Sequence, residues 1–215
     1  MSNLLNTFED REVFAKTMLE KYANPDLSVI SDIGAGYGFM QAHVEKLGAI
    51  WQPFDYLKKI KQTTIWDLNN LAPKTSQPAD MALFLEVLEH LANPLLGLQN
   101  IGKHLKKDGV LILTTPNPQS SKNRINLLLK GVLYAFQEKH LKEQHVFTPW
   151  EHIVKFFLEQ SGFEILEYAV VDTKYQTRKT KGIKEFLKLQ LEKLIEKRYP
   201  KAQGMSYGIV ARKID

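Results

Sequence analysis

The chemistry in this chain begins at Asp32, where Asp32, Gly34, Ala35, Gly36, Tyr37 and Gly38 spell D-x-G-x-G-x-G. The motif directly follows an apolar run from Leu27 to Ile33, and Phe39, Met40 and Val44 then resume at helical spacing. The pattern predicts strand, tight turn, helix. Glycines in such a turn remove Cβ atoms, so the backbone takes positive φ and a ligand lies against the main chain, while free N–H groups of the following helix face an anionic group. That is the chemistry of a nucleotide-type cofactor site. It does not match the dinucleotide fingerprint G-x-G-x-x-G, which requires glycine where Phe39 stands. Further along come the acids Asp55, Asp67, Glu86 and Glu89 and the imidazoles of His90 and His145. An imidazole takes up a proton near neutral pH, which makes His145 a candidate general base.

The elements that must position these groups alternate along the chain. Thr7 to Tyr22 is a predicted helix with Phe8, Val13, Phe14, Met18 and Leu19 on one side, and predicted strands cover Leu27 to Ile33, Ala79 to Leu85, Val110 to Thr115, Phe163 to Val171 and Met205 to Ala211. Lys106 to Gly109 reads as a turn; Pro25 and the stretch Pro73 to Pro78 are punctuation between elements. Strand–helix alternation of this kind implies a mostly parallel sheet with helices on both faces.

Composition sets the outer bounds. At 215 residues, 44% hydrophobic and 25% charged, the chain is expected to form one domain over residues 1–215. There is no cysteine, which rules out disulfides, thiolate nucleophiles and cysteine zinc sites, and agrees with a reducing cytoplasm, the expected location. The start, MSNLLNTFEDRE, is polar and acidic, unlike a signal peptide, and no apolar stretch approaches the roughly 20 residues needed to span a bilayer.

The D-x-G-x-G-x-G loop resembles the first motif of the class I S-adenosylmethionine-dependent methyltransferases. The resemblance extends over residues 27 to 172 through AIWQPFD, TTIWDLNN, ADMALFLEVLEHLANP, LKKDGVLILTTPNP and HVFTPWEHIVKFFLEQSGFEIL, in the order found among the ubiquinone-pathway O-methyltransferases. It implies a Rossmann-like α/β fold, with a seven-stranded mostly parallel sheet whose last strand is antiparallel. It also implies S-adenosylmethionine as methyl donor, with S-adenosylhomocysteine as product. Asp32 and Gly34 to Gly38, including Ala35 and Tyr37, would seat the methionyl part, Asp55 the ribose, and Asp67 with Leu68 the adenine. Glu86 would bound the donor pocket or cap the structure, and the HVFT motif would bring His145 to the mouth of the sheet, as base or as loop anchor. The acceptor expected is a small molecule, glycan or lipid-like compound.

Two alternatives accompany that expectation. Glu86, Glu89, His90 and His145 also resemble the E-x-x-E-H…H ligand pattern of metal-dependent RNA 3′-terminal 2′-O-methyltransferases, in which Mn²⁺ or Mg²⁺ assists the nucleophile. The other alternative is a non-catalytic adenosylmethionine-binding partner subunit.

Two insertions stand apart from the motifs. Residues 120–144 occupy the place where this family covers its substrate, and Leu127, Leu128, Val132, Leu133 and Phe136 there either line a pocket or pack on the sheet. Residues 172–203 hold ten Lys or Arg and four acids, a net +6 against +5 for the whole chain, so the basic character resides in this one insertion. Within it Ile183, Phe186, Leu187, Gln190, Leu191, Leu194 and Ile195 recur at helical spacing. Either this face packs on the domain with the lysines solvated, or the helix meets an anionic membrane surface or nucleic acid.

Overall fold

A computed structural model describes residues 5–174 and 182–214; the stretch 175–181 of the basic insertion lies outside the described residues. The strands are β1 (Asn6–Thr7), β2 (Val29–Ile33), β3 (Ile50–Asp55), β4 (Thr64–Ile65), β5 (Ala79–Leu85), β6 (Leu105–Pro116), β7 (Phe163–Val171) and β8 (Ser206–Lys213). The helices are α1 (Arg11–Tyr22), α2 (Gln41–Lys46), α3 (Pro94–His104), α4 (Ser121–Lys130), α5 (Glu151–Gln160) and α6 (Ile183–Arg198). The strands form one sheet in the order β1-β7-β8-β6-β5-β2-β3-β4. All pairings are parallel except those of β8, which runs antiparallel to both β6 and β7.

This is the expected Rossmann-like architecture with one strand more than the seven anticipated. The extra strand, β1, pairs Asn6 and Thr7 with Ala169 and Val170 at the sheet edge, in place of a helix beginning at Thr7. The helix starts later because Asp10 caps it: its carboxylate accepts the Val13 amide at 2.9 Å. The turn expected at Lys106–Gly109 survives as an irregularity inside the longer strand β6, where Asp108 has φ 61° and a Cβ on Gly109 would come within 2.8 Å of the Lys106 carbonyl.

Side-chain alternation along the strands divides the core between two faces. Ala82, Phe84, Leu111 and Leu113 point to one side and pack with Leu98 and Ile101 of α3 and Val154 and Leu158 of α5. Met81, Leu83, Val110 and Ile112 point to the other and meet Phe14, Met18 and Leu19 of α1 and Val44 of α2. Because both faces are covered, the central strands read as nearly unbroken apolar runs. The parallel arrangement brings the carboxyl ends of β2, β3, β5 and β6 to one edge, where a crevice for a ligand opens in folds of this kind.

Candidate functional site

Along that edge lies a cavity of about 500 Å³, within the range of small-molecule sites. Gly34 reaches it from the end of β2, Asp55 from the end of β3, Asp67 and Leu68 from the loop after β4, and Val87 and His90 from the turn after β5. Lys142, Glu143 and Gln144, at the end of the insertion, complete its wall.

The glycine turn is shaped by close approach. Gly34 has φ 81°, and a Cβ there would stand 2.3 Å from a methyl of Val87, so the loops after β2 and β5 can meet only if residue 34 has no side chain. Within the turn, Gly34 and Ala35 both donate to the Phe54 carbonyl at 2.8 and 2.9 Å, and Gly38 donates to Ala35 at 2.8 Å. The Gly36 amide donates to Asp55 at 3.0 Å. The predicted helix start is also displaced: α2 begins only at Gln41. The turn therefore serves first to lock β2 to β3.

Asp55 gains most from this arrangement. One carboxylate oxygen takes the Gly36 amide and the other the Leu57 amide at 3.1 Å, with Lys59 3.6 Å away. Its orientation is fixed by backbone. Asp67 is held similarly by the Asn69 amide and side chain at 3.0 and 2.9 Å, while the Leu68 carbonyl accepts the buried Asn100 side chain at 2.9 Å. Both acids and Leu68 line the cavity.

Other predicted residues stand elsewhere. Asp32 is buried beneath the turn, accepts the Trp51 indole N–H at 3.0 Å, and is absent from the cavity wall. Burial pushes its carboxyl up to about 6, with the Trp51 bond opposing and the nearby Asp55 charge adding to the rise. Ala35, Gly36, Tyr37 and Gly38 are likewise outside the wall; Tyr37 is 70% exposed. Glu86 is also outside it. Its backbone sits at φ 55°, a conformation that costs a non-glycine residue about 1–3 kcal/mol and is commonly retained at functional sites. Burial, reinforced by Asp172, pushes its carboxyl up to about 7, and Ser206 donates to it at 3.3 Å.

Glu89, His90 and His145 come together, each with one ligand atom within 4.8 Å of the others, whereas Glu86 does not join them. Glu89 is buried, accepts the Thr115 hydroxyl at 3.0 Å, and is held well above the usual carboxylate range by burial and by Glu86. Burial and the neighbouring His145 lower His90. His145 contacts the Ala135 carbonyl through Nδ1 at 2.9 Å; a carbonyl only accepts, so Nδ1 carries a proton, and in the neutral ring that leaves Nε2 as the acceptor. The Val146 and Phe147 amides both donate to the Glu89 carbonyl, at 3.0 and 3.1 Å, which ties the HVFT segment to the turn after β5.

Of the apolar residues named in the insertion, Leu133 and Phe136 are half-buried, whereas Leu127 and Leu128 depart from both expectations. Leu127 and Leu128 are 49% and 80% exposed; they neither pack on the sheet nor line the cavity. Polar residues do the lining: after the 3-10 turn Glu138–Glu143 the chain turns back at Gln144, which has φ 60°. Sequence reading missed Lys142–Gln144, Tyr56 and Val87, which reach the wall from a turn or from the loop just past a strand end and belong to no recognisable motif position.

Comparison with known proteins agrees with this architecture. The Methyltransferase domain family model matches residues 8–168. A ubiquinone biosynthesis O-methyltransferase of Haemophilus ducreyi is 30% identical over 106 residues, which cover 41% of this chain and 45% of that relative. The chain thus aligns with less than half the length of that curated relative. In three dimensions the chain is similar to a SAM-dependent methyltransferase of Archaeoglobus fulgidus, with TM-score 0.60, 19% identity, and 93% of each chain covered. It is also similar to Haemonchus contortus phosphoethanolamine N-methyltransferase 2 in complex with S-adenosyl-L-methionine, with TM-score 0.61, 13% identity, and 94% of this chain and 53% of that one covered. The chain belongs to the Methyltransferase domain family, in the class I group that uses S-adenosylmethionine as methyl donor.

Proposed function

We propose that this protein transfers the methyl group of S-adenosylmethionine to an oxygen or nitrogen of a small-molecule, glycan or lipid-like acceptor. The observation that carries the reading is the convergence of Gly34, Asp55, Asp67 and Leu68, from three separate strand connections, on one cavity of about 500 Å³. The residues suit the donor. Asp55 is an acceptor for ribose hydroxyls whose direction is set by the Gly36 and Leu57 amides, and Asp67 with Leu68 offers a carboxylate and backbone to an adenine edge. The Gly34 turn lets the loop after β5 close against the end of β2, an approach that a Cβ would obstruct.

Bound S-adenosylmethionine supplies a methyl carbon already activated by its sulfonium, so the protein's work is alignment and exclusion of water. His145, with Nδ1–H held by Ala135, is the candidate to take a proton from an attacking hydroxyl through Nε2. Asp32 acts beneath the turn as a positioning residue, through Trp51.

Titration calorimetry with S-adenosylhomocysteine tests the donor site. Binding is expected, and Asp55→Ala should weaken it by about 1.5–3 kcal/mol, the cost of losing hydrogen bonds to a charged group. Unchanged affinity breaks the assignment.

A second reading, metal-assisted 2′-O-methylation of RNA, is favoured by the Glu89, His90 and His145 cluster alone. Mn²⁺ titrated into metal-stripped protein separates the two. If His145 is a base and not a ligand, His145→Ala should cut turnover about 10²–10⁴-fold while leaving S-adenosylhomocysteine affinity within about twofold. Tight Mn²⁺ binding lost in the same variant would favour the metal reading. S-adenosylhomocysteine binding with no transfer to any acceptor pool would instead indicate a non-catalytic partner subunit.

A further inference from the structure

Helix α6 is built inside out. Its stripe Glu185, Leu189, Glu192 and Glu196 follows helical spacing, and Leu189, Glu192 and Glu196 are its buried residues. That side meets α4 through polar pairs: Ser121 donates to Glu196 at 2.5 Å, and Lys188 donates to Asn126 at 3.3 Å. The opposite stripe, Ile183, Leu187, Leu191 and Leu194, is 74%, 60%, 42% and 64% exposed. The apolar face expected to pack on the domain is therefore the one turned to solvent.

The same pairs fix the helix directions. Ser121 at the start of α4 lies beside Glu196 near the end of α6, and Asn126 lies beside Lys188, so the two helices are antiparallel. The end of α4, with Leu128 and Leu129 at 80% and 71% exposure, thus falls beside the start of α6. Four exposed aliphatic side chains, Leu128, Leu129, Ile183 and Leu187, share one end of this pair, and Leu191 and Leu194 continue the apolar stripe along α6.

Charge surrounds that apolar ground. Lys130, Lys184, Lys193 and Lys197 are all exposed, α4 carries no acid, and the acids of α6 lie on its other stripe. We propose that this face is a docking surface for an anionic lipid bilayer, with the leucines and Ile183 entering the headgroup–acyl boundary and the lysines meeting anionic headgroups. Aliphatic insertion beside a cationic flank is the physics of an interfacial helix. A nucleic acid would instead find aliphatic side chains, which neither stack on bases nor neutralise phosphate, at the centre of the surface. Along the chain, residues 131–141 connect the end of α4 to the cavity wall at Lys142–Gln144. The docking proposal holds whichever acceptor is methylated.

Flotation of the full chain with vesicles tests it. Vesicles containing about 30 mol% phosphatidylglycerol should carry the protein, and pure phosphatidylcholine vesicles should not. The double variant Leu187→Asp/Leu191→Asp should lose at least about tenfold in partitioning at low and high salt alike, whereas Lys184→Glu/Lys193→Glu should lose as much only at low salt. Both variants change exposed positions, and an S-adenosylhomocysteine affinity within about twofold of the parent will show that the fold and donor site survive. Three outcomes would overturn the proposal: no partitioning into anionic vesicles; partitioning that the aspartates leave unchanged; or vesicle binding displaced by a short single-stranded RNA that the aspartate variant still binds. A dimer broken by the aspartates, with no vesicle binding, would assign the face to a second copy instead. If partitioning behaves as expected while no form binds S-adenosylhomocysteine, the docking surface stands and the methyl-transfer reading falls.

Discussion

In the central sheet Leu111 and Leu113 turn one way and Val110 and Ile112 the other, all shielded from water, while in α6 Leu187, Leu191 and Leu194 point outward and two glutamates point in. The residue types are similar and the placements opposite. Apolar side chains in the sheet are expected to stabilise the fold, because removing them from water contributes about 1.5–3 kcal/mol each. Apolar side chains on the outer face of α6 are exposed and contribute little to folding, so what they shape is the surface. The glycine turn belongs with the sheet: its neighbours leave no spare room, and its effect on ligand binding is mechanical.

Substitutions can sharpen or break that contrast. The largest effect is expected from Gly34→Ala, which sets a Cβ 2.3 Å from Val87 at φ 81°. Either the turn or the loop after β5 must shift, and S-adenosylhomocysteine affinity should fall about 100-fold or more in calorimetry, as strain of about 1–3 kcal/mol adds to lost contacts. Next, Leu111→Ala should cost about 2–5 kcal/mol of stability in urea unfolding, since the site is sealed on both sides by packed helices. The partner substitution Leu187→Ala should change stability by no more than about 0.5 kcal/mol. Equal losses at the two positions would dissolve the distinction between core and docking face.

Asp32 gives a smaller, pH-dependent effect. Its folded carboxyl lies at about 6 against an ordinary 3.8, so the folded state favours the protonated form. The stability associated with it is fully present below 3.8 and is lost as pH rises through about 6. Asp32→Asn should therefore raise the melting temperature at pH 8, by the equivalent of about 1–3 kcal/mol less the weakened bond to Trp51, and the gain should fade as pH drops toward 4. A gain that is constant with pH would mean that Asp32 is not buried in the charged form.

Among the described residues, no helix is long and apolar enough to cross a membrane. Contact with a bilayer through α4 and α6 would thus be peripheral, lodged at one face.

Local rules determined a large part of this molecule from the sequence. Ala79–Leu85 and Phe163–Val171 are strands with the predicted bounds, because short, largely apolar runs bounded by turn residues leave few alternatives. The D-x-G-x-G-x-G turn was legible in the same way, whereas Asp55, Asp67 and Leu68 were marked by the family resemblance; strand ends in a parallel sheet collect at one edge, and these three line the cavity there. What periodicity could not decide was which way an amphipathic helix turns. Spacing alone made Ile183 to Leu194 a face suited to packing; only the tertiary contacts of Glu196 with Ser121 and Lys188 with Asn126 put the opposite face inward. The same holds at the site. Sequence grouped Glu86 with Glu89, His90 and His145, but a positive φ at residue 86 turns its side chain toward Ser206, while hydrogen bonds between the loop amides and Glu89 bring His145 in from a distant segment. Periodicity is a property of neighbours along the chain, whereas orientation and grouping depend on partners that only folding brings within reach.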